Sequence, residues 1–288
     1  LAVFASDAIS STAYATEEIL VILALAGASA FGLSVPIALA IAILLVIVTI
    51  SYRQTIFAYP NGGGAYIVAR ENLGQTAALV AGSALLTDYV LTVAVSTSSG
   101  VAQIISAFPG LAPWRVAIAV GIIAFVTIIN LRGVRESGVI FAIPTYFFLV
   151  MMGITLIVGF YRWATGTLGI VTGVEMVEGT LAPLTLFLIL RAFSSGSTAL
   201  TGIEAISNGI TAFKEPRSRN AARTLVVMST VLISLFLGIT VLSRHIQAVP
   251  SHQETVISQL ARTVFGGGSV GYLLLIAGTA LVLLMAAN

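Results

Sequence analysis

Long apolar runs, cut by short polar stretches, organise this chain. Leu33 to Ile50 and Leu225 to Leu242 are typical runs, and each approaches the ~20 residues a helix needs to cross bilayer hydrocarbon. The pattern predicts eight helices, at 1–27, 33–54, 75–107, 115–131, 138–161, 182–213, 221–243 and from 268 onward. A membrane barrel would instead show short alternating strands, so continuous runs mean helices. The stretch Ser251 to Phe265 is amphipathic and too polar to span. It reads as a surface helix or a short re-entrant element.

Composition names the solvent. Hydrophobic residues make up 58% of the chain and charged residues 8%, with a mean hydropathy of +1.07. A soluble domain carries roughly a quarter charged residues, so this chain reads as an all-α membrane protein in contact with a lipid bilayer. Cysteine is absent and His245 and His252 share one loop, which removes disulfides, thiolate metal sites and zinc motifs. No cofactor and no enzymatic site are expected. A net charge of +2 in such a chain reports orientation, not a nucleic-acid partner. The chain opens at apolar Leu1, reaches Ser6 and Asp7 at once, and stops inside the apolar run Leu273 to Met285. The expectation is one transmembrane domain over 1–288, truncated at both ends.

Basic residues set the topology. The connections after helices 2, 4 and 6 carry Arg53, Arg70, Arg132, Arg135, Lys214, Arg217, Arg219 and Arg223, against Arg115, Arg162, Arg244 and Arg262 on the other side. The richer set faces the cytoplasm, which places loops 51–74, 131–138 and 213–223 there. Helix 1 then runs outward and helix 6 inward. Both contain a Ser/Thr-dense stretch: Ser6, Asp7, Ala8, Ile9, Ser10, Ser11, Thr12 in one, and Ser194 through Gly202 in the other. Matching interruptions in oppositely directed helices point to an inverted-repeat transporter with its site near the bilayer midplane. The competing explanation is that small residues merely let helices pack closely.

Acidic residues in hydrocarbon sharpen the reading. Asp7, Glu17, Glu18, Asp88 and Glu204 lie in or beside predicted spans, while Arg191 is the one arginine embedded in a span. A central acidic residue costs ~2.5 kcal/mol even on the lenient insertion scale, so a bound metal cation, a transported ammonium group or protons are expected among them. Asp88, Thr92 and Ser96 recur every four residues and form an oxygen column on helix 3, with Tyr89 beside it. Thr201 and Glu204 share a face of helix 6, and Asp7 and Tyr14 lie two turns apart on helix 1. Oxygen ligands without nitrogen or sulfur suit hard cations. Each carboxylate has a structural alternative as a hydrogen-bond acceptor, Tyr14 and Tyr89 as packing aromatics, and Glu17 or Glu18 as a vestibule residue. The run Asn61, Gly62, Gly63, Gly64 lacks the Lys-Ser/Thr pair of a phosphate loop and reads as a tight connection.

Several blocks carry a family resemblance. Ala58-Tyr59-Pro60-Asn61-Gly62-Gly63-Gly64-Ala65-Tyr66 resembles the helix 2–3 loop of the amino acid/polyamine/organocation (APC) transporter superfamily. Ser6 to Ser11, Thr87 to Ser96, and Phe193-Ser194-Ser195-Gly196 through Glu204-Ala205-Ile206-Ser207-Asn208 resemble the KimA-type high-affinity potassium importers of bacteria. The resemblance runs along essentially the whole chain. It implies a LeuT-type inverted repeat of five plus five helices, here a fragment of about eight, with helices 1–5 over about 1–161 and the second repeat from about 182. It also implies a homodimer in the bacterial inner membrane and proton-coupled potassium uptake. The implied potassium site is Asp7, Tyr14, Asp88, Tyr89, Thr92, Ser96, Thr201 and Glu204; Asp88 or Glu204 is the candidate proton carrier, because burial favours a protonated carboxyl group. A further site tyrosine and the C-terminal domain through which cyclic di-AMP acts are implied outside these residues. The alternatives are an amino acid permease on the same scaffold, a channel and an intramembrane enzyme.

Overall fold

The computed structural model of the protein describes residues 2–131, 138–177 and 182–287. Leu1, Arg132 and Arg135 lie outside the described residues, so the loop 131–138 is not assessed. Twelve α-helices are present among the described residues, and no strand. In order they are α1 (Ala2–Ser10), α2 (Thr12–Ala24), α3 (Ser34–Ala58), α4 (Gly64–Leu73), α5 (Gln75–Ala107), α6 (Arg115–Leu131), α7 (Gly138–Ala164), α8 (Leu186–Gly196), α9 (Glu204–Asn208), α10 (Arg217–His245), α11 (Val256–Phe265) and α12 (Val270–Ala286).

Element ends follow local chemistry. Thr185, Thr255 and Ser269 cap α8, α11 and α12, each side-chain oxygen accepting the backbone N–H three residues on, which satisfies a donor the first helical turn leaves free. Pro216 stands immediately before α10 and Gly74, at φ +91°, immediately before α5.

Among the described residues five segments are long and apolar enough to cross a membrane: Ala28–Ala58, Gln75–Ala107, Pro109–Leu131, Ala142–Ala164 and Arg217–His245. The other three predicted spans are not single long helices. The first is α1 plus α2, the sixth is built from short pieces around α8 and α9, and the last is the 17-residue α12. Of the predicted loop 51–74, residues 51–58 continue α3 and 64–73 form α4, whose Arg70, Glu71 and Asn72 hid it from an apolar-run reading. Asn72 Nδ2 donates to the Tyr59 hydroxyl at 2.8 Å and anchors that helix to the end of α3.

In the core α3 lies along α10, α2 along α8, and α12 against both α5 and α7. Lipid tails are as apolar as leucine, so close packing and interhelical hydrogen bonds supply much of the association energy. Thr16 and Thr240 share a bond of 2.8 Å, and Thr49 donates to Ser229 at 2.9 Å. Of the two readings of 251–265, a free surface helix is ruled out. Residues Val256 to Ala261 of α11 are all buried, and α11 packs on α12, α7, α2 and α5. Gln259 ties it down, its amide nitrogen donating to Val249 O at 2.7 Å and Glu254 O at 3.0 Å.

Candidate functional site

Two interruptions face each other at the centre of the bundle. In the first, Ser11 separates α1 from α2 yet keeps right-handed helical torsions, φ −60° and ψ −26°. Its neighbours spend their hydroxyls on the backbone: Ser10 donates to Asp7 O, Ser11 to Ala8 O and Thr12 to Ile9 O, each at 2.7 Å. In the second, the chain leaves helical form altogether. A turn of 3₁₀ helix, Ser197–Leu200, runs into extended Thr201 (φ −58°, ψ 137°) and left-handed Gly202 at φ +87°. The Ser/Thr density of the two stretches predicted an interruption in each helix; the first is a slight one.

The interruptions touch. Ser11 Oγ reaches across to Ala199 O at 3.3 Å. A Cβ at Gly202 would stand 2.6 Å from Ala8 N and 2.8 Å from Asp7 Oδ2, so only glycine fits both this torsion and this approach. Glu204 opens α9 directly after the turn and its carboxylate turns back toward the backbone N–H groups of Gly202 and itself.

Around this contact the structure brings together most of the sequence candidates. Asp7, Asp88 and Glu204 lie within electrostatic reach of one another, and Tyr89 sees all three. The Tyr14 hydroxyl lies beside Thr198 and Ser96, and its ring packs with Ala13, Val95 and Leu283. Along α5 the oxygen column passes from half-buried Asp88 to Thr92 at 7% exposure and Ser96 at 0%. Thr201 is half-buried, its N–H donating to Thr198 O at 3.1 Å. Asp7 Oδ1, Ser96 Oγ and Glu204 Oε1 are buried and have no hydrogen-bond partner among the described residues. Such orphan oxygens are costly in a medium without water.

No cation among the described residues answers them. The two ion pairs among the described residues are Arg217–Glu215 and Arg262–Glu254, both elsewhere, and Arg191 is exposed. Nor do three acidic or histidine side chains among the described residues converge as a metal cage. A cation here would draw on hydroxyl and carbonyl oxygens together with separate carboxylates, the weak-field ligand set suited to alkali ions.

Glu17 and Glu18 have other occupations. Glu17 accepts the Val256 N–H at 3.4 Å, at the start of α11, and faces Arg115 across a cavity of about 230 Å³. Glu18 accepts from Ser195 Oγ at 2.9 Å. Three residues escaped sequence reasoning as neighbours of the site. Thr198 meets Tyr14, Tyr52 sees Glu204, Tyr89 and Asp88, and Asn208 Nδ2 donates to the Tyr89 hydroxyl at 3.0 Å. Asn208 also receives the glycine loop, its carbonyl accepting the Gly63 N–H at 3.3 Å. A side chain at Gly62 would lie 2.7 Å from Asn208 O, and one at Gly64 would collide with Asn208 Oδ1. The tight connection expected of Asn61 to Gly64 is therefore a docking point for the end of α9. Only residue identity at 208, inside the Ser207-Asn208 block, hinted at this.

Comparison with known proteins gives the family. A profile of the amino acid permease family matches residues 1–288. The chain is similar to the potassium transporter KimA of Bacillus subtilis (strain 168), 50% identical over 288 residues that are all of this chain and 47% of that protein. It is similar at 23% identity to the low-affinity putrescine importer PlaP of Escherichia coli (strain K12), over 163 residues that are 55% of this chain and 34% of that protein. The chain thus spans about half the length of KimA and still less of PlaP. A family match from first residue to last, joined to helices long enough to cross a bilayer, leads to one conclusion: this multi-pass protein of the bacterial inner membrane belongs to the amino acid permease family.

Proposed function

We propose that this chain is the core of a secondary transporter that takes up potassium by alternating access, with a proton as the coupled ion. The observation that carries the reading is that Asp7, Asp88 and Glu204 lie within electrostatic reach of one another with no cation among the described residues to pair them, beside orphan oxygens of Asp7, Ser96 and Glu204. A desolvated monovalent metal ion would offset that arrangement. Half-identity with a protein named a potassium transporter supports the choice of ion. The ion's proposed ligands are Asp7, Tyr14, Asp88, Tyr89, Thr92, Ser96, Thr201 and Glu204. The frame is a LeuT-type inverted repeat in a homodimer, its first half over about 1–161 and its second beginning near 182. Regulation by cyclic di-AMP belongs to a C-terminal domain outside these residues.

Energetics favour a coupled proton. A potential of 100 mV gives about 2.3 kcal/mol per charge, about fifty-fold accumulation, less than scavenging needs. Asp88 or Glu204 carries the proton. The test is potassium or rubidium uptake by the full-length protein in proteoliposomes. Asp88→Asn and Glu204→Gln are each expected to lower uptake about a hundredfold, the cost of about 3 kcal/mol. Full, pH-dependent uptake in both would overturn the reading.

A second reading has one observation in its favour. The family profile is that of amino acid permeases, and one relative is named a putrescine importer, so an organic ammonium group could take the cation's place. Three carboxylates would repel the carboxylate of an amino acid, which favours potassium over that substrate. Competition of rubidium uptake by putrescine or amino acids, with no competition by potassium, would reverse the order.

A further inference from the structure

Away from the site, three guanidinium groups converge on one groove. Arg53 comes from the last two turns of α3, Arg219 and Arg223 from the first two turns of α10, and with Phe57, Val226 and Val227 they line a groove of about 660 Å³. The segments are far apart in sequence, and the packing of α3 along α10 joins them. All three arginines are exposed, and among the described residues none has an ion pair or hydrogen bond, whereas nearby Arg217 is paired with Glu215 at 3.1 Å. Their charge is uncompensated by the described residues.

The order of chemistry along α10 identifies the occupant. Arg219 and Arg223 stand one turn apart on the exposed face, and Val226 and Val227 follow one turn further from the basic end. The valines are 43% and 48% exposed and Phe57 is 53% exposed. Charge first and uncovered apolar surface next is the profile of a lipid in the cytoplasmic leaflet, where the arginine distribution puts this end of the bundle. A soluble anion would use the arginines and leave the valines idle. We propose that the α3–α10 groove is a specific site for an anionic phospholipid, its phosphodiester held by Arg53, Arg219 and Arg223 and an acyl chain laid along Val226 and Val227. Each arginine adds about fivefold to affinity, from the ~1 kcal/mol that a juxtamembrane basic residue gains at an anionic surface.

The test is native mass spectrometry of the detergent-solubilised full-length protein titrated with phosphatidylglycerol, phosphatidylcholine and inorganic phosphate. The wild-type chain is expected to retain phosphatidylglycerol and release phosphatidylcholine. Arg53→Gln/Arg219→Gln/Arg223→Gln should weaken phosphatidylglycerol binding about a hundredfold, while Lys214→Gln/Arg217→Gln stays within about twofold of wild type. Equal retention of the two lipids by the wild-type chain would overturn the proposal, and needs no variant to fold. So would equal weakening in the two variants, which would mean diffuse attraction. Displacement of the lipid by millimolar inorganic phosphate would assign the groove to free anions instead.

Discussion

Helices 1 and 6 carry the same kind of sequence at their interruptions and respond differently. Around Ser11 the hydroxyls of Ser10, Ser11 and Thr12 cap three successive carbonyls at 2.7 Å, and the backbone stays helical. Around Thr201 the chain turns extended and then left-handed. The difference lies in Gly202, which accepts φ +87° and lets Ala8 and Asp7 approach its Cα. Hydroxyl density thus satisfies a backbone but does not unwind it. Unwinding needs a residue without a Cβ where another segment presses in. The second interruption is therefore the one whose freed backbone stands next to Asp7 and Glu204.

Substitutions can break this contrast. The largest effect is expected of Gly202→Ala, which combines a left-handed torsion with a contact of 2.6 Å to Ala8 N. We expect a loss of about 3 kcal/mol, read as a lower thermal unfolding midpoint of the detergent-solubilised full-length protein, and lost uptake. If Gly202→Ala melts where wild type does, the distinction between the two helices fails. Ser11→Ala removes one bond within helix 1 and one to Ala199 O, for about 1 kcal/mol. At the far end of α9, Asn208→Ala frees the Tyr89 hydroxyl and should raise the half-saturating potassium concentration about fivefold, with about 1 kcal/mol lost. Added to Tyr89→Phe it should cost little more, because the two share one bond. Smallest is Thr12→Ala, whose single local bond is worth about 0.6 kcal/mol. A larger loss than for Ser11→Ala would show that the contact between helices 1 and 6 contributes nothing.

Long spans were legible because their apolar runs are unbroken. The predicted bounds 75–107 and 115–131 coincide with α5 and α6, and α3, α7 and α10 each run a few residues beyond their predicted spans. The failures occur where polarity and burial part company. Helix α4 is too polar for its role, and α11, with buried Gln259 and Ser258, is more buried than its composition suggests. At the site, residue type flagged Asp7, Asp88 and Glu204, since acids in hydrocarbon stand out alone. Thr198, Tyr52 and Asn208 do not stand out. Each matters through a neighbour more than a hundred residues away, as Asn208 does through Tyr89, and such proximity is made by packing.

The glycine loop has a mechanical meaning. Because Gly62 to Gly64 fold against Asn208, and Asn208 holds Tyr89, the connection leaving α3, the tip of α9 and the wall of α5 form one linkage. Any displacement of α9 relative to α3 must drag that loop or break its contact with Asn208. Three glycines are thus less a flexible joint than a clasp, closed on Asn208 where it holds the wall of α5.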